Sequence, residues 1–359
     1  MKQKKYWILI LALATIVLAI NLFSADPTRV EHYYSRGAYP LIAVFLRYIF
    51  GWLPFSLGDI LYAAVAIWLM IKLVKIIIAI FKRQLFPRGY VAAIQSVLVK
   101  IFTIYIFFNL LWGINYNRAG IASQLGLATE KYSVDELKIL NALLLQKVNT
   151  SSTLLLLNGD RVLPKSQILS VSKQAYQNVT LRYGFLKYQP PSVKISLWGW
   201  LGNYLGFLGY YNPFTGEGQV NTSGPKFLQP YTYCHEIAHQ VGYAKENEAN
   251  FVGYLAAIAA KEEAFHYSAY LDLFLYANGN LFSADSSAAI TFRKNLLPAV
   301  KNDLKELRQF SLRYKNPVEP LIRWLYGIYL KNNQQPSGML SYDEVTGLLI
   351  AYHKKYGEL

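Results

Sequence analysis

A single cysteine, Cys234, rules out an intrachain disulfide and a cysteine-rich metal cluster in this chain of 359 residues. Charge is sparse as well. Asp, Glu, Lys and Arg make up 16% of the residues, against 53% hydrophobic and 15% aromatic, a balance too apolar for an ordinary soluble enzyme. Histidine is rarer still, with five in all: His32, His235, His239, His266 and His353. The net charge of +15 would suggest nucleic acid, but its distribution argues otherwise. Residues 1–120 hold 13 Lys and Arg against 3 Asp and Glu, whereas the remaining 239 residues hold 23 against 18. The basic excess therefore accompanies the most apolar third, as it does at the flanks of membrane spans. With no RNP motif, no Cys/His finger spacing and no basic stripe interleaved with aromatics, nucleic acid is not an expected partner.

Three apolar segments, about 7–23, 60–81 and 91–112, approach the ~20 helical residues that a bilayer core requires. The first follows Lys2, Lys4 and Lys5, and bulky Phe23 makes Phe23-Ser24-Ala25 a poor cleavage site, so it reads as an uncleaved anchor. Lys72 and Lys75 lie near one end of the second segment, where they can snorkel, and Lys100 is the lone interior charge of the third. The N-terminal lysines and the cluster Lys82, Arg83 and Arg88 should face the cytoplasm, which puts residues 24–59 and everything after Trp112 outside. The expectation is a multi-pass protein of a bacterial cytoplasmic membrane with the lipid bilayer as partner. Leu41 to Leu53 is apolar but too short to span, and is expected on the membrane surface or packed on the helices.

Beyond about residue 115 the texture becomes mixed and helix-rich. Ser133-Val134-Asp135-Glu136 reads as a capping box starting a helix to about Gln146, and another helix is expected from Lys165 to Tyr183. Pro190 and Pro191 break the chain, Ser192–Ser196 alternates like a short strand, and a loop rich in Gly, Tyr and Asn runs from Gly202 to Pro225. Helices should dominate from there, with a second capping box at Ser341-Tyr342-Asp343-Glu344.

The chemistry concentrates in His235-Glu236-Ile237-Ala238-His239. A spacing of four places both imidazoles on one helical face, one turn apart, where they can share a metal ion. Glu236 then stands beside the metal, placed to take a proton from metal-bound water and pass it to a leaving amine. Gly242 follows at a position where a helix can end through a left-handed residue, and the chain restarts at Lys245-Glu246-Asn247-Glu248-Ala249-Asn250. Lys245 stands where a third histidine would be needed for the metzincin pattern, which is thereby excluded.

The third ligand is then Glu246 or Glu248. Glu246 shares a helical side with Ala249, small enough for close helix approach, and with Asn250, which could hydrogen-bond a ligand histidine. Glu248 is turned away by 100° or more and is expected to add little beyond surface charge, although it remains the alternative ligand. Glu217, Gln219, Val220 and Asn221 belong to an alternating stretch just before the motif, where an edge strand could hold substrate in extended form. Tyr329 and Tyr342 are candidate phenols for stabilising an oxyanion. Cys234 should point away and pack in the core.

The run Tyr211-Asn212-Pro213-Phe214-Thr215-Gly216-Glu217, then Gln219-Val220-Asn221, Cys234–Gln240 and Glu246–Phe251, resembles the domain-of-unknown-function 3810 family of bacterial membrane proteins. More widely, the His-Glu-x-x-His and Glu-x-x-Ala-Asn pair resembles the gluzincin metallopeptidases. The resemblance implies one zinc ion per chain, His235 and His239 as ligands, Glu236 as catalytic base and a glutamate of the second helix as third ligand. Where many gluzincins carry Asp four residues after that glutamate, this chain has Asn250.

The expected architecture is mainly α. A membrane domain, 1–114, carries three transmembrane helices, and a zincin-like, mostly helical domain with a small β element spans 115–359. The expected reaction is hydrolysis of a peptide bond in a peptide or protein substrate by zinc-activated water. A non-catalytic, zinc-containing binding module tethered to the membrane is the alternative.

Overall fold

The computed structural model describes residues 2–82, 89–129, 131–159, 162–342 and 344–359. Most of the basic cluster between the second and third apolar segments, residues 83–88, lies outside them. So does Asp343 of the second expected capping box, along with the side chains of Ser341 and Tyr342.

Among the described residues three helices are long and apolar enough to cross a membrane: Gln3–Ser24, Leu57–Phe81 and Tyr90–Leu111, with mean hydropathies of 2.4, 2.5 and 2.0. The first and third pack side by side, joined by a hydrogen bond from the Tyr105 hydroxyl to Asn21 Oδ1 (3.0 Å). Lys72 and Lys100, from the second and third spans, place their ammonium groups 5.6 and 6.0 Å from the Trp68 ring. The ring's negative face partly offsets their removal from water.

The second span begins with its free backbone N–H groups satisfied by the protein. Ser56 Oγ accepts from Asp59 N (3.0 Å), while the buried Glu217 carboxylate accepts from Gly58 N (2.7 Å) and Leu57 N (3.3 Å). An anion at this end also suits the positive end of the helix dipole. Asp59 in turn accepts from Leu197 N (2.6 Å) and from the Tyr210 hydroxyl. The span is thereby fastened to a small sheet of three strands, β1 (Val193–Ile195), β2 (Gly209–Asn212) and β3 (Glu217–Val220).

The strand order is β1-β3-β2, with β1 parallel and β2 antiparallel to β3. This corrects the expectation of an edge strand at residues 217–221, because β3 lies in the middle with both of its edges paired. The side chains there are also engaged internally. Glu217 caps the span, the Gln219 amide meets Ser56 Oγ (3.0 Å), Val220 is fully buried, and Asn221 Nδ2 donates to Asn203 Oδ1 (2.6 Å). The stretch expected as a loop from Gly202 to Pro225 thus contains β2 and β3, and its first four residues belong to the short helix Gly199–Leu205.

The rest is helical. The Ser133 capping box is present in both directions, with Glu136 N donating to Ser133 Oγ (3.2 Å) and Ser133 N to Glu136 Oε2 (2.7 Å). The helix it opens runs to Asn158, well past the expected end at Gln146. Val148, Ser151, Ser152 and Leu155 are buried in continuation of the face packed on the helix Glu263–Ala284, so tertiary contact carries the helix through the Asn-Thr-Ser-Ser stretch. The helix Lys165–Arg182 forms as expected.

Between the first two spans lies the helix Tyr39–Phe50, which covers the apolar stretch near Leu41–Leu53. Tyr39, Ala43, Leu46 and Arg47 are buried against the protein, and Leu41, Val44, Phe45 and Tyr48 are exposed. The packed face bears on the functional site described below.

The cap on the second span should be measurable. Glu217→Gln keeps the shape but replaces the charged acceptor of two backbone N–H groups, so equilibrium unfolding in detergent should show a loss of ~1–3 kcal/mol. An unchanged unfolding midpoint would show that the carboxylate does not hold the span.

Candidate metal centre

Pro230 stands in the first turn of the helix Gln229–Gln240, where its fixed φ suits a helix start and its missing N–H costs nothing. The helix is buried on nearly every side. Its end is followed by Gly242 at φ 96°, the left-handed turn expected there. The chain reverses into the helix Glu246–Ala257, with Lys245 in extended conformation before it. The two helices pack closely because Ala249 is small and because Gly253 faces His235, whose Cα would lie 3.1 Å from any Cβ at 253.

That approach brings His235, His239 and Glu246 together. His235 Nε2 and His239 Nε2 are 3.1 Å apart, and Glu246 Oε2 lies 3.3 Å from the first and 3.5 Å from the second. His239 Nδ1 is 2.7 Å from the Tyr243 carbonyl. An acceptor there assigns a proton to Nδ1 and turns Nε2 toward Glu246. The Asn250 side chain lies near His235, but its Nδ2 is buried without a hydrogen-bond partner among the described residues.

Burial and mutual charge divide the acids of this region. For Glu246, burial favours the protonated form, but the two imidazoles outweigh it and hold the carboxyl well below the usual range. His239 is pushed up to about 9, because the Glu246 carboxylate outweighs the effect of burial. His235 is lowered by burial. Glu236 is pushed up to about 8 by burial, with the Glu246 charge adding to it, and its Oε2 has no hydrogen-bond partner among the described residues. The Glu236 carboxyl sits against β2, where Gly209 admits it: a Cβ at 209 would lie 2.3 Å from Glu236 Oε1.

Glu248 points elsewhere, as the helical angle required, but it is not a surface charge. It is 7% exposed and lies against Gly120, near Arg118 and Lys245, with its pKa raised by burial. Residues 118–120 cover this face of the helix, which the local sequence around Glu248 does not reveal. Cys234 is fully buried as expected, and burial pushes its thiol up.

Other partners come from distant segments that sequence reasoning left aside. The Tyr326 hydroxyl donates to Glu246 Oε1 (2.7 Å), and Gln335 Oε1 accepts from Glu246 N (3.0 Å). Tyr329, one of the two phenols singled out from sequence, sits beside this pair with its hydroxyl 3.0 Å from that of Tyr116. The i, i+3 spacing of Tyr326 and Tyr329 on one helix face was the available signal for Tyr326. Nothing in the sequence places that face over the histidines.

The C-terminal carbonyls of the motif helix and of the turn after it are capped by side chains from the membrane-proximal third. Trp112 Nε1 donates to His239 O (3.3 Å), the Tyr39 hydroxyl and Arg47 Nη1 to Gln240 O (3.0 and 2.8 Å), and Arg118 Nη1 to Gly242 O (2.9 Å). Two cations at this end also oppose the negative pole of the helix. The Gln240 side chain ties the helix to the sheet region through Ser192 O (3.1 Å) and Gly216 O (2.8 Å).

Tyr326→Phe isolates one of these supports. Removing the hydroxyl that orients Glu246 should weaken binding of a divalent metal by ~10–100-fold. Isothermal titration would detect this, and an unchanged affinity would leave Tyr326 without an orienting role.

A family model described as "Protein of unknown function (DUF3810)" matches residues 34–350. No curated protein matches the chain, and no solved structure matches it.

Proposed function

The chain thus belongs to the DUF3810 family, and from that premise we propose that it is a membrane-anchored, zinc-dependent peptidase of the gluzincin kind. The observation that carries this reading is the buried triangle of His235 Nε2, His239 Nε2 and Glu246 Oε2, with edges of 3.1, 3.3 and 3.5 Å. Zinc bonds of ~2.0–2.1 Å in tetrahedral geometry correspond to edges of ~3.3–3.4 Å between ligand atoms, so the three donors fit one face of such a site. Two imidazoles and one carboxylate are also a donor set that suits zinc and leaves a fourth position open. Bound there, zinc would supply the Lewis acidity that polarises a water and a peptide carbonyl.

The chain's own residues supply the rest. Glu236 adjoins the triangle without belonging to it, and its Oε2 makes no hydrogen bond among the described residues. In this reading it takes the proton of the attacking water and delivers it to the leaving amine. A carboxyl with its pKa raised toward neutrality is suited to both transfers. Tyr243 O and Tyr326 keep His239 and Glu246 in orientation. With β3 inside the sheet, an extended substrate would pair with β2, whose Gly209 lies against Glu236.

The positive flank Lys2, Lys4 and Lys5 assigns the N-terminus to the cytoplasm and the metal centre to the outside of the membrane. A reporter fused after residue 115 should be active only when exported, and cytoplasmic activity at that point would overturn the orientation.

Metal and turnover can be separated by four variants. The purified full-length protein should hold one zinc per chain by elemental analysis. His235→Ala, His239→Ala and Glu246→Gln should each lose it, whereas Glu236→Gln should keep zinc and lose hydrolysis of peptide substrates. Glu236→Gln that still hydrolyses would sink the assigned base. A wild-type protein that holds zinc without turnover would favour the non-catalytic module.

A further inference from the structure

The helix Glu319–Asn332 is apolar on two opposite sides. One side reaches the metal centre through Tyr326 and Tyr329, and Leu330 is fully buried. On the other, Leu321, Trp324, Leu325 and Ile328 follow the spacing i, i+3, i+4, i+7 and are exposed by 54, 61, 48 and 39%. A helix bordered by water on its outer side carries polar residues there, and a contiguous apolar stripe marks a surface meant for another apolar phase.

The stripe is continuous with the membrane-spanning part. The helix Gly199–Leu205 packs against Glu319–Asn332, and Asn316 Nδ2 donates to Tyr204 O (2.7 Å) beside it. Trp198, Trp200, Leu201 and Tyr204 are all exposed. One residue before Trp198, the Leu197 N–H is held by Asp59 in the first turn of the second span (2.6 Å). From the other direction, the Tyr62 ring of that span lies 5.9 Å from the Tyr210 ring of β2. The exposed apolar surface therefore starts where a transmembrane helix enters the bilayer and runs outward without leaving the protein face. Arg313 and Lys315 are exposed just before the helix and Lys331 in its last turn, and Trp with nearby Lys and Arg is the composition of helices that lie in a lipid interface.

We propose that the helix Glu319–Asn332, together with the segment 198–204, lies in the boundary between headgroups and acyl chains of the leaflet that the second span enters at Leu57. Leu321, Trp324, Leu325 and Ile328 are immersed in lipid, and the basic residues meet the headgroups. Since the same helix contacts Glu246 from its inner side, the metal centre stands about one helix diameter, ~10–12 Å, from the lipid.

The test uses the full-length protein in lipid nanodiscs containing phosphatidylcholine and phosphatidylglycerol. Trp324→Cys and Leu325→Cys are spin-labelled separately. Leu181→Cys, at a position 89% exposed on another helix, serves as the aqueous reference, and the native Cys234 is fully buried. Collision with oxygen, which partitions into lipid, is compared with collision with a water-soluble nickel chelate. The ratio of the two should be several-fold higher at 324 and 325 than at 181. A ratio equal to that at 181 would overturn the proposal by placing the stripe in water. Low accessibility to both probes would overturn it in favour of a covering protein chain. The readout needs neither metal nor turnover, so its failure is distinguishable from failure of the peptidase reading.

Discussion

The last carbonyls of the motif helix emerge inside the protein, where water cannot satisfy them, and the rest of the arrangement depends on how they are met. Their donors are Tyr39, Arg47 and Trp112, with Arg118 on the Gly242 carbonyl just beyond, and these come from the segment between the first two spans and from the residues after the third. Burying a guanidinium to cap a carbonyl is costly unless its remaining N–H groups are also used. Arg118 answers this with a two-pronged pair to Glu31 (2.9 and 2.8 Å) and with its guanidinium 4.4 Å from the Tyr243 ring. The membrane-proximal third is therefore part of the structure that holds the histidines.

A second constraint is the concentration of acid in a dry region. Glu236, Glu246 and Glu248 are all buried within a stretch of thirteen residues, and their surroundings set them apart. Glu246 has two imidazoles at 3.3 and 3.5 Å and is the one held strongly ionised. Glu236 and Glu248 lack such close partners, and burial drives both toward the neutral acid. Three equivalent carboxylates in this volume would repel one another, whereas one charged acid flanked by two of raised pKa is compatible with folding.

The sheet joins these two constraints. Glu217 and Asp59 fasten the start of the second span to β3, Leu197 and Tyr210, while the Gln240 side chain fastens the end of the motif helix to the same region. A movement of the span at its entry to the membrane would therefore bear directly on the strands beside Glu236.

The sequence alone determined whatever depends on local spacing. The three spans were legible from runs of apolar residues, the capping box from Ser133 and Glu136, and the convergence of His235, His239 and Glu246 from the 3.6-residue period of two short helices. That Glu246 rather than Glu248 faces the histidines was legible for the same reason, because two residues along a helix is more than half a turn. Tertiary structure decided what depends on who covers whom. That Glu248 is buried follows from Gly120 packing on it, that β3 is an inner strand follows from its pairing with β1 more than twenty residues earlier, and that the helix opened by Ser133 continues past Gln146 follows from the helix Glu263–Ala284 lying along it. The contact of Tyr326 with Glu246 joins residues eighty positions apart, a separation at which no helical or strand period carries information.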